Sequence, residues 1–594
     1  MVLPYNLNRL GGQHKRPYYC EVEYLESDGY CYINTDWVQG SDYDMTISFA
    51  TPSSASQTIA GARNSNTRNG LFYWNNNTGL MAFTIAQSNS SATPFQLGSL
   101  SGDKLIRVKV ADNKGSVWID KVPTYTDTSF SGTYTQTNPL TLFGSNNDGN
   151  IEERGVVKIR AFYGVSATSG KIDLVPVLDW DMKPCFYDRA RNRLLYNGGT
   201  GTFTVGRQIH LVDYLETLGD GEEYFDTGFT GDQDTELSIT AESRSDAELY
   251  AQVGGRLVSG QPKSLTLNIN NSTNRGGVSV FGNQRSTSQT DEVFWSSVGQ
   301  KSTFMSNKTG FYQDGVQKLA FGDVDEFSTS GNLWILRANG SSAYKAWRWY
   351  GAYIKWQGEY RRDLVPMIDG DCVCCAFDKV YHKIYDNAGT GTFKHSDLEI
   401  DQLDNTHLTG SQSAYIQTGV TFSYSNAYKI IQDINVMPIG QIRFSGWNAG
   451  GAIGINQSTK NYRDGNTDLV PAVKEGTRVI ATIRINSKQS TQTYYNVAYG
   501  MSTSTGTRQH SSISGYATLG YPLMISTTNS NGYQYQTYGL LGKVQIYSGS
   551  SLSDLTLVRD MKPIVRNGKA GLLDTLNNVF YSSAGDTQFK FRAK

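Results

Sequence analysis

Asp173-Leu174-Val175-Pro176-Val177 returns later in the chain as Asp363-Leu364-Val365-Pro366-Met367. The residues C-terminal to this stretch recur in step with it. Phe186-Tyr187-Asp188, Leu195-Tyr196-Asn197 and Gly201-Thr202-Phe203 match Phe377-Asp378, Ile384-Tyr385-Asp386-Asn387 and Gly391-Thr392-Phe393. A looser third copy runs through Leu557-Val558-Arg559-Asp560-Met561-Lys562-Pro563, Leu572-Leu573-Asp574, Phe580-Tyr581 and Gln588-Phe589. Asp188, Asp378 and Asp574 are 190 and 196 residues apart. An opening block keeps the same period. It comprises Tyr24-Leu25-Glu26 to Thr35, Tyr214-Leu215-Glu216 to Gly228, and Leu408-Thr409-Gly410 to Gly419, with Tyr32, Tyr224 and Tyr415 separated by 192 and 191. Two blocks in register over three copies define an internal repeat of about 190 residues.

Between these blocks the sequence reads as strands. Leu105–Val110 and Val117–Asp120 flank Asn113-Lys114-Gly115, and Phe304–Ser306 and Phe311–Gly315 flank Asn307-Lys308-Thr309-Gly310. Both read as β-hairpins with a glycine-bearing turn. The third copy has the strand Val479–Ile485 without a clear Asp-Gly turn. Val157–Tyr163 and Gly542–Tyr547 alternate with period two, and helical patterns are nearly absent. A repeat of many short strands closes its edges by packing two sheets face to face. The expected fold is all-β, three sandwiches in tandem: an arm 1–20, then 21–206, 207–400 and 401–594.

Composition agrees. Of 594 residues, 37 are Tyr, 24 Phe, 10 Trp and 61 Gly, against 14 Pro, which suits strands and tight turns. With 53 Lys+Arg against 54 Asp+Glu the net charge is −1, which argues against wrapping nucleic acid. No apolar run approaches the roughly 20 residues of a membrane-spanning helix, and no secretory signal pattern is expected at the start. Six cysteines make no disulfide framework; Cys372, Cys374 and Cys375 read as buried thiols.

The blocks resemble the concanavalin A-like (laminin-G-like) jelly-roll superfamily. The motifs are the opening Tyr-Leu-Glu strand at Tyr24–Thr35, the hairpin at Asn307–Gly315 and the closing block at Asp173–Phe203, with their counterparts. The resemblance covers nearly the whole chain after about residue 20. It implies tandem jelly-roll β-sandwiches, the variant common in fibre, tail and surface proteins of phages and gut bacteria. The leading expectation is a non-enzymatic virion structural protein, a head fibre, decoration or tail fibre that attaches to host surface glycan or protein. The resemblance also implies other virion proteins as partners, and homo-oligomerisation. A bacterial lectin-like protein is the second reading and a polysaccharide depolymerase the third.

Catalysis finds little support. Hydrolysis on such a fold needs paired carboxylates about 5–10 Å apart. Asp323-Val324-Asp325-Glu326 reads as a solvated loop, and Glu152-Glu153 and Glu222-Glu223 as surface pairs. The six histidines, His14, His210, His382, His395, His407 and His510, read as scattered, mostly in linkers or turns. No cofactor is expected; calcium would call on Asp36, Asp112 and Asp148, which also read as turn formers. For carbohydrate, stacking candidates are Trp74 with Tyr73, and Trp447 with Asn448; Trp347, Trp349 and Trp356 read as packing. Arg9, Lys15 and Arg16 in the first 20 residues are candidates for anchoring an arm on a larger assembly.

Overall fold

A computed structural model describes residues 17–52, 57–64, 67–75, 80–85, 93–129, 135–179, 181–217, 223–244, 251–255, 264–269, 280–282, 284–285, 298–337, 346–404, 414–421, 426–436, 442–446, 452–455, 462–464, 467–470, 478–486, 492–499, 502–509, 522–525, 539–584 and 588–593. Within them every regular element is a β-strand. No helix among them is long and apolar enough to cross a membrane. The chain divides into two compact units, Met1–Asp369 with Val373–His395, and Gly370–Cys372 with Ser396–Lys594.

The first unit holds two copies of the repeat. In the first copy the major sheet runs, by hydrogen-bonded neighbour, Val122–Ser129, Lys114–Ile119, Asp103–Ala111, Tyr43–Ala50, Lys158–Ser166, Gly170–Leu178, Pro184–Asp188 and Arg193–Tyr196. In the second the order is Val316–Ala320, Gly310–Gln313, Lys301–Asn307, Thr235–Ser243, Trp347–Trp356, Glu359–Ile368, Cys374–Asp378 and Lys383–Asp386. The second unit repeats it from Ser502–Gln509 and Gln492–Tyr499 through Arg478–Asn486, Ala427–Val436, Gly539–Gly549 and Leu555–Arg566 to Lys569–Asp574 and Val579–Ser582. The third copy thus keeps its hairpin, Arg478–Asn486 with Gln492–Tyr499, and the turn between these strands lies outside the described residues.

The minor sheet also repeats. It runs Ile33–Gly40, Gln136–Leu142, Gln57–Asn64, Thr67–Asn75, Leu80–Ile85, Thr93–Gly98 in the first copy. Phe225–Asp232, Ser328–Ile335, Ala251–Gly255 and Ser264–Ile269 lead the second, and Ile416–Thr421, Pro522–Ile525, Ile442–Gly446 and Ala452–Ile455 the third, in the same order. This shared two-sheet order defines three tandem jelly-roll β-sandwiches.

Alternation along the strands builds the core. In Tyr43–Ala50, Met45, Ile47 and Phe49 are fully buried against Trp37, Phe72, Phe83 and Phe162. Trp37 lies so close to the strand Lys158–Ser166 that a Cβ at Gly164 would stand 2.8 Å from its ring. The turns differ in detail from the sequence expectation. The first hairpin turns on Asp112-Asn113, both at positive φ, and Gly115 lies within the next strand. Left-handed φ at both central residues matches the twist of the flanking strands.

Candidate functional site

Two arrangements concentrate the polar chemistry of the sandwiches. One braces each sandwich from within. The other joins the first two sandwiches.

The brace begins at the opening block. Thr35 Oγ1 donates to Leu140 O (2.6 Å) and accepts from Trp37 N (3.2 Å); Thr227 does the same with Leu333 O (2.6 Å) and Phe229 N (3.2 Å). Thr418 accepts from Val420 N at 3.2 Å. The closing block supplies an aspartate with no exposure in any copy. Asp188 accepts from Asp173 N and Ala190 N, Asp378 from Asp363 N and Val380 N, and Asp574 from Asp560 N and Leu576 N. An arginine completes the link. Arg362 Nε donates to Thr227 O (2.8 Å) and lies 3.8 Å from Asp378; Arg559 Nε donates to Thr418 O (3.2 Å) and lies 3.5 Å from Asp574. Burial pushes the Asp378 carboxyl up to about 6 against the opposing pull of Arg362.

The junction follows from strand sharing. Gln208–Leu211 pairs with Cys20–Val22 of the first sandwich through Gln208 and Ile209, then with Glu359–Ile368 of the second through His210 and Leu211. One 22-stranded hydrogen-bonded network therefore runs through both copies. The second sandwich's turn 379–382 inserts against the first, with Lys383 and Ile384 of the strand that follows. Tyr381 O accepts from Ser48 Oγ (2.6 Å), Tyr381 OH donates to Asp120 (3.2 Å), and His382 Nε2 meets Val22 O at 2.9 Å. Arg160 pairs with Glu23 (2.7 Å) and Asp103 (2.9 Å), Lys383 also reaches Asp103 (2.6 Å), and Ile384 N donates to Glu23 (3.2 Å). Burial would raise the Asp103 carboxyl; Arg160 and Lys383 hold it below its usual value. Burial lowers His382 to about 4, so it is neutral at pH 7. Sequence reading placed the histidines mostly in linkers and turns. Instead His210 and His395 lie buried on strands, and His382, though in a turn, is buried in this contact.

The outer face of the major sheet carries aromatic rings beside charges. In the second copy Tyr353 and Tyr360 lie 5.3 Å apart edge to face, Lys355 Nζ stands 4.7 and 4.8 Å from their centroids, and Glu236 takes Lys355 (2.9 Å) and Asn307 (3.2 Å). In the first copy Arg107 covers Trp118 at 4.8 Å and forks onto Asp44. Rings with adjacent hydrogen-bonding groups have the chemistry of polar-ligand platforms. Sequence reading passed over these residues. The outward alternation of Arg348, Tyr350, Tyr353 and Lys355 is a usable signal, obscured by the bulge at Tyr350, where Trp349 and Gly351 face successive residues of the strand Thr235–Ser243.

The residues singled out from sequence fare differently. Tyr73 and Trp74 lie on the strand Thr67–Asn75 opposite Thr58 and Gln57, with their side chains outside the described residues. Trp447, Asn448, Arg9, Lys15 and Arg16 also lie outside them. Trp347 and Trp349 are buried as packing, whereas Trp356 is half-buried beneath Arg361. Asp112 and Asp148 occupy turns and Asp36 an irregular point within the strand Ile33–Gly40, all at positive φ, and they are not brought together; Asp36 pairs with Arg193 (2.9 Å) and Asp148 accepts from Asn138 (3.0 Å). Among the described residues no three His, Cys, Asp or Glu are grouped to hold a metal ion. Asp323–Glu326 is a loop with its carboxylates exposed. Glu223, expected at the surface, is buried, because Gly391 packs directly on it; Glu222 lies outside the described residues.

No family model matches the chain, and no curated protein matches it. Among solved structures, the chain is similar to the LG1-3 region of the laminin α2 chain (10% identity, 94% of this chain and 99% of that one, TM-score 0.21). It is similar to domains LG4-5 of the mouse laminin α1 chain (10% identity, 65% and 97%, TM-score 0.21). It is also similar to a mutant of NanB sialidase from Streptococcus pneumoniae (9% identity, 95% and 92%, TM-score 0.21). At these scores no site or activity passes to this chain. The jelly-roll β-sandwich fold rests on the chain's own strand order.

Proposed function

We propose that this chain is a virion structural protein that displays tandem β-sandwiches for attachment to a host-surface glycan or protein. The observation that supports this most is the shared strand Gln208–Leu211 with the buried charges beside it. Binding modules on flexible tethers have no need of such a weld, whereas a projecting spacer needs stiffness. The basic residues Arg9, Lys15 and Arg16 are the proposed contact to other virion proteins, and the outer-face aromatics add a surface for the host ligand.

The test uses the full chain and the same chain carrying R9A, K15A and R16A, each mixed with particles from its source. Co-sedimentation of the wild type, reduced at least tenfold in the triple variant, is the expected result. No co-sedimentation of either, with the wild type retained on a bacterial polysaccharide array, would replace this reading with a lectin.

A further inference from the structure

The charges at the junction can be paired off almost completely. Lys104 takes Asp120 (2.9 Å), Arg107 takes Asp44 (2.6 Å), Arg160 takes Glu23 and Asp103, Arg362 faces Asp378, and Arg207 takes Asp386 (2.5 Å). Arg361 is left over. It is 4% exposed, and its guanidinium lies 4.6 Å over the Trp356 ring. Its Nε has no hydrogen-bond partner, and the carboxylates that act on it, Asp120 and Glu359, do so without a hydrogen bond to that Nε. A buried cation without a counter-ion costs far more than a paired one.

Lys121 is close by in the same position of need. Its side chain is 15% exposed, and among the described residues its one ion pair is a loose contact, 3.8 Å, with Glu359, a side chain 53% exposed. Burial lowers both Lys121 and Arg361, and the charge of Arg361 lowers Lys121 further; Glu359 pulls both the other way, as Asp120 does Arg361, without offsetting the burial. Lys121 also has φ +66°, the left-handed region, at the second residue of the turn Asp120-Lys121. The corresponding turn of the second sandwich is Asp314-Gly315, which uses glycine. Keeping a lysine where glycine is less strained points to a role for its charge.

We propose that Lys121 of the first sandwich and Arg361 of the second form a binding site for a small oxyanion, a carboxylate or a sulfate. Two adjacent desolvated cations are each relieved by one bridging anion, and a guanidinium fork matches the paired oxygens of either group. Trp356 holds the fork in place from behind. The site exists only where the two sandwiches meet, so anion binding and junction stability are linked.

The test titrates the full chain with sodium acetate and separately with sodium sulfate, against sodium chloride at matched ionic strength, reading the thermal midpoint and calorimetric heat. A saturable rise with one or both oxyanions, and none with chloride, is expected; the responding ion identifies the group. Lys121→Gly, which fits its turn better than lysine, should raise the midpoint without ligand yet weaken oxyanion binding at least tenfold. Arg361→Met should weaken it similarly. Equal, unsaturated shifts in the wild type and K121G, or no response to either oxyanion in the wild type, overturn the proposal.

Discussion

The first and second sandwiches build one brace from different sequence positions. In the second, Arg362 on the closing strand spans Asp378 and the carbonyl of Thr227. The first has Ile172, fully buried, at the equivalent place. There Arg193, from the following strand, reaches Thr35 O (3.0 Å) and lies 3.9 Å from Asp188, with Arg191 behind it at 3.8 Å. What persists is a cation between a buried carboxylate and the opening strand, whichever strand supplies it. The second sandwich concentrates that duty on one side chain, 12% exposed; the first divides it between two that are 24% and 36% exposed.

That difference predicts unequal sensitivity. Arg362→Met leaves a wholly buried carboxylate without its cation, a loss of about 3–5 kcal/mol. Urea unfolding of the full chain should show it as a lower midpoint at unchanged slope. An unchanged midpoint would mean that the backbone donors to Asp378 suffice and the arginine is incidental.

The same hairpin carries two titrations of opposite sign. Asp378 is raised from 3.8 to about 6 in the fold. The folded state therefore holds its proton more tightly, and that stabilisation, complete below about pH 4, is lost as pH rises through 6. His382 is lowered from 6.5 to about 4. Its contribution is complete above about pH 6.5 and is lost as pH falls toward 4. Each shift corresponds to roughly 3 kcal/mol, so the wild type should be nearly flat between about pH 4 and 6. Asp378→Asn should leave stability rising with pH in that window, and His382→Asn should leave it falling. Parallel profiles for the two variants would refute the assignment.

The Asn latch separates the first two copies from the third. Asn387 accepts from Tyr224 N and Gly389 N (both 3.0 Å) and donates to Gly391 O (2.7 Å); Asn197 repeats all three contacts with Tyr32, Gly199 and Gly201. The third copy has Ser583 there and keeps the backbone bond from Ala584 N to Tyr415 O (2.9 Å). Asn387→Ala should cost about 2 kcal/mol by thermal unfolding, and Asn387→Ser less. Equal losses for both would show that the serine of the third copy contributes nothing.

The repeat was legible because its anchors are local. Asp188, Asn197 and their counterparts bond to residues that travel with them in the motif or in its partner block, whereas Thr35 reaches Leu140 outside both. The junction was not legible. Ser48 meets Tyr381 across 333 positions. Tyr381, His382 and Lys383 read alone as an ordinary polar turn, and nothing in their order announces an apposed sandwich. Glu223 failed for a related reason: adjacent carboxylates read as solvated until the glycine packed upon them is known. The switch from Arg362 to Arg193 was hidden too, since position-by-position comparison scores Ile172 as a loss, not a relocation.

That relocation yields the smallest effect and the sharpest comparison. Arg193→Met removes one of two cations near Asp188, and its partner Asp36 is exposed, so about 1 kcal/mol is expected. Arg191 remains 3.8 Å from Asp188 and 3.4 Å from Thr35 O, able to take over the span. Arg191→Met with Arg193→Met leaves Asp188 as bare as Arg362→Met leaves Asp378. The double variant should therefore fall by about as much as that single one, well beyond the sum of its parts, which is how two side chains sharing one contact behave. Strictly additive losses in the cycle would show that the first sandwich has no brace equivalent to that of the second.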